Sequence, residues 1–309
     1  MGFDIALKNV LLTLIYIIPG YLLCKFRKVK DDHLSSISAI LIYVLAPCMI
    51  VSSFLKLDYS IENIKKMGLF FATSLLLQCC FMAILYFLFR KKYDNSKYRL
   101  ITIGSVLGNV GFFGLPIIKA LFPEDPIVMC YSAVFVISMN VLVFTMGIFC
   151  LTNDYKYMKI KSVFLNPSSL TLLIALPLYI LKDKFTLPIL ISDAVSLLGN
   201  MTTPICMFIL GIRLATMPLK KVFMNWFIYL IIGFKLIVFP IFCYLCVLYI
   251  PFFDDTFKIS ILILSGTPCA SVILNMAEIY HSEEEMSANC VLLSTMLCFI
   301  TIPLLTLLT

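Results

Sequence analysis

A chain of 309 residues that is 61% hydrophobic and 13% charged, with mean hydropathy +1.03, lies outside the range of water-soluble domains. Its apolar stretches take up so much of its length that no soluble catalytic or nucleotide-binding domain has room. The net charge of +7 is dispersed over short loops, so it speaks to membrane orientation and gives no signal for nucleic acid.

In chain order, hydropathy marks ten segments, each long enough to cross a hydrocarbon core about 30 Å thick. They fall at 7–24, 34–55, 67–90, 99–122, 126–151, 168–182, 188–216, 222–250, 256–281 and 285–308. The first carries Pro19-Gly20-Tyr21 in place of a small-x-small cleavage site, and reads as a retained span. The third contains Gln78 in an apolar run. The fourth contains GNVGFFGLP at 108–116, whose Gly108, Asn109, Gly111, Gly114 and Pro116 are poor residues for a continuous helix. A break in mid-membrane is therefore predicted there. The eighth places Lys235 about 20 Å from either end, too deep to reach water easily. The ninth predicts a second break, with Ser265, Thr267, Ser271 and Asn275 around Pro268.

Counting Lys and Arg by loop puts 14 on the side of the 1–2, 3–4, 5–6, 7–8 and 9–10 connections and 8 on the other. The positive-inside rule then sets both termini outside the cytoplasm of a multi-pass protein of the plasma membrane. The twelve cysteines fall inside apolar spans, and both histidines, His33 and His281, lie in loops. That scatter reads as packing, with no metal or cofactor expected, although Cys243 and Cys246 form a CxxC.

Features recur at a nearly constant offset. Pro19 matches Pro177, Pro47 matches Pro204, and Pro116 matches Pro268, at 158, 157 and 152 residues. Proline inside a helix costs about 3 kcal/mol in water, so recurrence in corresponding places points to duplication. Five segments per copy is an odd number, so the second copy enters from the opposite side. The expected fold is an all-α membrane protein of ten helices, two inverted five-helix repeats covering 1–151 and 152–309. Such repeats with interrupted spans point to a secondary transporter. If both broken helices meet, their half-helix amino termini direct partial positive charge into one space, which suits a small anion.

GNVGFFGLPII at 108–118 resembles the N-x-x-x-x-G-x-P signature of the auxin efflux carrier family. LGNMTTPICMFILGIRLA at 198–215 and GTPCASVILNMAEIY at 266–280 are similar to later segments of that family. The likeness runs through the whole chain in order and length. It implies a bacterial-type short member, similar in fold to bile-acid/sodium symporters and sodium/proton antiporters. It further implies scaffold helices 1, 2, 6 and 7, a transport domain of helices 3–5 and 8–10 moving as an elevator across broken crossover helices 4 and 9, and a homodimer. The family includes auxin exporters and carriers of malate, malonate and related carboxylates. The link between segments 5 and 6 is only about 15 residues, unlike that of the long plant carriers, so auxin is a poor substrate choice. The function expected is secondary active transport of a small mono- or dicarboxylate, with H+ or Na+ as coupling ions to weigh and lipid as the surrounding partner.

The expected substrate-binding set is Asn109, Gly111, Pro116, Lys235, Thr267, Pro268, Ser271 and Gln78, with no catalytic residue. Asn109, some 15 Å deep, either contacts substrate or caps its broken half-helix. Lys235 is either a counter-charge or proton-coupling site, or a cation that binds carbonyls freed by the second break. Gln78 is its mate at the 157-residue offset. Arg213 and Glu278 read as interfacial anchors, and Tyr16, Tyr43 and Tyr131 as belt or packing residues. A sodium-coupled symporter of the same architecture is the alternative, weakened by scarce mid-membrane carboxylates. An intramembrane enzyme would need paired aspartates, HExxH or a Ser–His pair at membrane depth. The chain has none of these, nor a Walker A loop.

Overall fold

The computed structural model describes residues 2–30, 33–158, 160–182, 187–216 and 225–309. In the first half they form α1 (Gly2–Lys25), α2 (Leu34–Lys56), α3 (Ile61–Phe89), α4a (Ser96–Gly104), α4b (Val110–Leu121) and α5 (Ile127–Thr152). The second half forms α6 (Pro167–Ile180), α7 (Ile189–Thr216), α8 (Trp226–Leu248), α9a (Asp255–Ser265), α9b (Ser271–Tyr280) and α10 (Glu284–Leu305). Among the described residues, eight helices are long and apolar enough to cross a membrane, α6 counting with the stretch before it as Tyr155–Ile180. The fourth and ninth segments do not reach that length, because each is broken in its middle.

Helix boundaries follow local chemistry. Ser60 accepts from the Glu62 N–H at 3.1 Å, so α3 starts at Ile61, ahead of the expected 67, and takes Glu62, Lys65 and Lys66 into its first turns. Asn95, Asn166, Asn225 and Asp254 cap α4a, α6, α8 and α9a in the same way. The expected start of the eighth segment, 222–224, lies outside the described residues.

Proline inside a span is absorbed by widening the turn before it. A π turn at Leu41–Leu45 precedes Pro47, one at Val110–Gly114 precedes Pro116, and one at Phe234–Val238 precedes Pro240. Proline lacks an N–H and clashes with the carbonyl four residues back, and the extra residue in a π turn relieves both. Pro19 and Pro177 instead lie within α-helix.

Between lipid-embedded helices the driving force is close packing, not burial from water, so small residues set the contacts. The most extensive contact joins α1 and α7. A Cβ on Gly20 would run into the Phe208 carbonyl, and one on Gly211 into the Ile17 carbonyl, so this pair fixes how near the two backbones lie. Helix α2 packs on α6 and α7, α3 on α5, and α8 on α9a. Helices α5 and α10 are the most buried of the long helices and α1 the least. Tyr131 of α5 stacks on Phe70 of α3 at 4.3 Å, and Phe257 of α9a meets Phe70 edge-on at 4.9 Å, tying three elements together.

Candidate functional site

The two breaks touch. Gly108 and Cys269 form an isolated antiparallel bridge, in which the Asn109 N–H donates to the Pro268 carbonyl at 2.7 Å and the Ala270 N–H donates to the Leu107 carbonyl at 3.0 Å. The Cys269 N–H donates to Ser294 Oγ on α10 at 3.0 Å. Backbone that leaves a helix inside a membrane costs several kcal/mol per unpaired group, and here each break supplies partners for the other.

Behind the bridge lies Lys235, in the π turn of α8 and fully buried. Its ammonium donates to the Ser265 carbonyl, the last residue of α9a, at 2.7 Å and sits 5.0 Å from the centre of the Phe239 ring. A cation on the carbonyl end of a helix is doubly favourable, through the hydrogen bond and the macrodipole. Thr267 turns its hydroxyl back onto the Leu264 carbonyl at 2.8 Å. Gly108 lies against both side chains, leaving no space for a Cβ.

In front of the bridge is a cavity of about 880 Å³ between α2, α6 and α7 on one wall and α4b, α5, α9b and α10 on the other. Helices α4b and α9b both begin on it. Their N-cap residues, Asn109 and Ala270, make no side-chain capping bond, and Gly111, Phe112, Ser271 and Val272 of their first turns line the cavity. First-turn amides of a helix lack intrahelical acceptors, so two positive helix ends converge on this space. The Asn109 amide faces it beside the Cys206 thiol of α7. Arg213 and Glu278 line the same cavity, near the last turns of α7 and α9b.

A family model described as membrane transport protein matches residues 5–163 and 152–306. The chain belongs to the auxin efflux carrier family. An uncharacterized transporter of Methanocaldococcus jannaschii is 27% identical over 227 residues, covering 70% of this chain and 71% of that protein. This auxin efflux carrier family member is therefore an integral, multi-pass membrane transporter.

The expected site residues fall into three places in this family member. Asn109, Gly111 and Ser271 line the large cavity. Thr267, Pro268 and Lys235 form the bridge and its backing, Pro268 through its carbonyl. Pro116 and Gln78 lie apart from both. Pro116 does not mark the crossing point, since the fourth segment leaves the helix at Leu107–Asn109 and the proline follows one π turn later, on a smaller cavity. Gln78 donates to the Ser74 carbonyl at 3.0 Å and to Ser138 Oγ at 2.9 Å, a fully buried link between α3 and α5. Of the residues around the second break, Asn275 reaches the cavity while Ser265 bonds the Leu262 carbonyl.

Arg213 and Glu278 read in sequence as interfacial anchors, yet they complete the cavity wall. The signal for Arg213 was its helical spacing: Cys206, Ile209, Leu210, Arg213 and Thr216 share one face of α7, and all five line the cavity. Tyr131 is fully buried, Tyr43 is exposed and Tyr16 borders the smaller cavity.

Proposed function

We propose that this chain is a secondary active transporter of a small organic anion, a mono- or dicarboxylate, working by alternating access of the elevator type. The observation that carries the reading is the convergence of two uncapped helix amino termini, from α4b and α9b, on one large cavity that also holds Asn109 and Arg213. Each amino terminus supplies roughly half a positive charge, Arg213 a full one that Glu278 in the same wall offsets, and Asn109 an amide donor that orients a carboxylate without adding charge.

Packing supports two inverted five-helix repeats. Exchanging each helix for its mate turns the α1–α7 contact into the α6–α2 contact, and the bridge between the fourth and ninth segments into itself. The cavity lies between α2, α6 and α7 and α4b, α5, α9b and α10, which fits a scaffold of α1, α2, α6 and α7 beside a moving transport domain of α3–α5 and α8–α10. Its lining includes residues at the α2, α6, α7 and α9b ends that adjoin the 1–2, 5–6, 7–8 and 9–10 loops. By the charge bias that side is cytoplasmic, and the state is inward-open. Lys235 acts as a fixed cation of the bridge. It occupies the carbonyl that a mobile sodium ion would seek, which favours the anion carrier over the sodium-coupled symporter.

Uptake of a fixed panel of radiolabelled mono- and dicarboxylates into proteoliposomes tests the reading, with Asn109→Ala as the site control. Saturable uptake of at least one acid that falls at least tenfold in the variant is expected. No uptake across the panel, with or without a proton or sodium gradient, overturns it.

A further inference from the structure

On the far side of the large cavity lies a second one of about 360 Å³, within the ~300–1,000 Å³ range of ligand sites. Met49, Ser53, Leu115 and Met129 line both, so a four-residue septum separates them. The smaller cavity faces the opposite end of the molecule, where α2 and α4b terminate and the 2–3 and 4–5 loops begin. Two cations line its mouth, both of them exposed: Lys56 from the last turn of α2 and Lys119 from the last turn of α4b.

A single lysine in a last helical turn is ordinary, because the macrodipole favours it. Two such lysines on one open space repel each other weakly through water, and an anion between them turns that repulsion into two attractions. Among the described residues no carboxylate lines this cavity and neither lysine makes an ion pair. Asp58, two residues beyond Lys56, is committed elsewhere: it meets Lys182 at 2.9 Å, whose hydrogen bond and charge hold its carboxyl below the usual carboxylate range. The remaining wall offers the Thr203 hydroxyl and the Asn200 amide of α7. Lys119 and Pro116 lie on the same face of α4b, whose other end opens onto the large cavity, so one element borders both spaces.

We propose that the Lys56–Lys119 cavity is a second anion site, a vestibule on the far side of the septum that takes a small dianion such as a dicarboxylate. The proposal deepens the anion-carrier reading by assigning a ligand class to the opposite mouth. An anion bridging two ammonium groups gains a charge-assisted bond from each, so a dianion is preferred over a monoanion. The same chemistry fits the phosphate of an anionic lipid, and the two sources are separated by the test.

The test is lysine footprinting of the wild-type chain in phosphatidylcholine nanodiscs. Sulfo-NHS acetate labels exposed amines, and peptide mass spectrometry reads Lys56 and Lys119 against the exposed Lys28 and Lys91. With 10 mM succinate, labelling of both cavity lysines is expected to fall at least threefold relative to the reference lysines. Acetate should protect less and succinamide not at all, and Lys56→Gln should abolish protection of Lys119. No protection by succinate overturns the proposal, as does equal protection by succinamide. Protection that requires phosphatidylglycerol in the disc and ignores succinate also overturns it and makes the site a lipid contact. Footprinting needs no turnover, so a chain that protects without proteoliposome uptake refutes the carrier reading alone, and uptake without protection refutes the vestibule alone.

Discussion

Gly108→Ala probes the bridge directly. The added Cβ would overlap Thr267 Oγ1 and stand 2.9 Å from Lys235 Nζ and 3.3 Å from its Cε. Both neighbours are fully buried, and Phe239 lies beside the ammonium, so neither retreats into open space. For Lys235 to withdraw, its bond to the Ser265 carbonyl must break, and a hydrogen bond to a charged group contributes about 1.5–3 kcal/mol. For Thr267 to turn, its bond to the Leu264 carbonyl is lost at about 1 kcal/mol. The expected destabilisation is thus about 2.5–4 kcal/mol, or roughly 5–8 °C at about 2 °C per kcal/mol for a chain of this size.

Gly111→Ala, three residues away, is the control. Its Cβ would meet Val136 Cγ2 at 3.4 Å and Met49 Cε at 3.8 Å, which is ordinary contact. Thermal unfolding in detergent, followed by a thiol-reactive dye that detects exposure of buried cysteines such as Cys269 and Cys298, reads both variants. Gly108→Ala within about 1 °C of wild type, or Gly111→Ala as unstable as Gly108→Ala, would refute the reasoning. The penalty runs through Lys235, so Gly108→Ala should cost less in a Lys235→Met background, and strict additivity would show that the two side chains do not interact.

Other expectations follow from where each group sits. Lys235 is sealed behind the bridge while Arg213 lines the cavity, so Arg213→Gln should narrow the preference for a carboxylate over its amide at least tenfold. Lys235→Gln should leave that preference unchanged and lower the unfolding midpoint, and affinities for acid and amide at fixed pH decide between them. Gly211→Val should push α1 off α7 and lower the midpoint by several degrees, whereas Gly68→Val, with open space around its Cβ, should not. Both termini should face away from the cytoplasm, so cysteines at positions 3 and 309 should react with an impermeant maleimide in intact cells; protection of both contradicts that orientation, and protection of only one contradicts the inverted repeat.

How much of this was legible in sequence depended on whether a residue acts through its backbone or through a distant partner. Proline announces itself, and Pro19 and Pro177 fall in α1 and α6, Pro47 and Pro204 in α2 and α7. Proline is a poor marker of where a helix opens, however. In the ninth segment Pro268 lies in the break, but in the fourth the chain opens at Leu107–Asn109 and Pro116 is accommodated by a π turn. Depth alone flagged Lys235, and one of its two readings named freed carbonyls. That Ser265 supplies the carbonyl is a fact of tertiary packing, thirty residues away. Asn109 could have capped its half-helix and does not. Arg213 is half-buried in the last turn of α7, as an interfacial anchor would be, and the face it shares with Cys206 and Thr216 also puts it on the cavity.

Charge is placed unevenly about the two breaks, and that placement bears on selectivity. Gln78 and Lys235 stand 157 residues apart in the sequence, yet Gln78 spends its amide on Ser74 and Ser138 while Lys235 reaches the bridge. The negative end of α9a is thereby neutralised from behind by a buried cation, while the positive ends of α4b and α9b face the cavity without side-chain caps. Caps are present where α3, α4a, α6, α8 and α9a begin, while α2, α5, α7 and α10 begin in loops without one, so it is the place of the α4b and α9b starts on the cavity that sets them apart. A carbonyl end that faced the cavity would cancel part of the field from the amide ends. With that end backed by Lys235, the amide ends of α4b and α9b face the cavity, where Arg213 and Glu278 offset one another, and an anion entering between α4b and α9b is the ligand those helix ends favour.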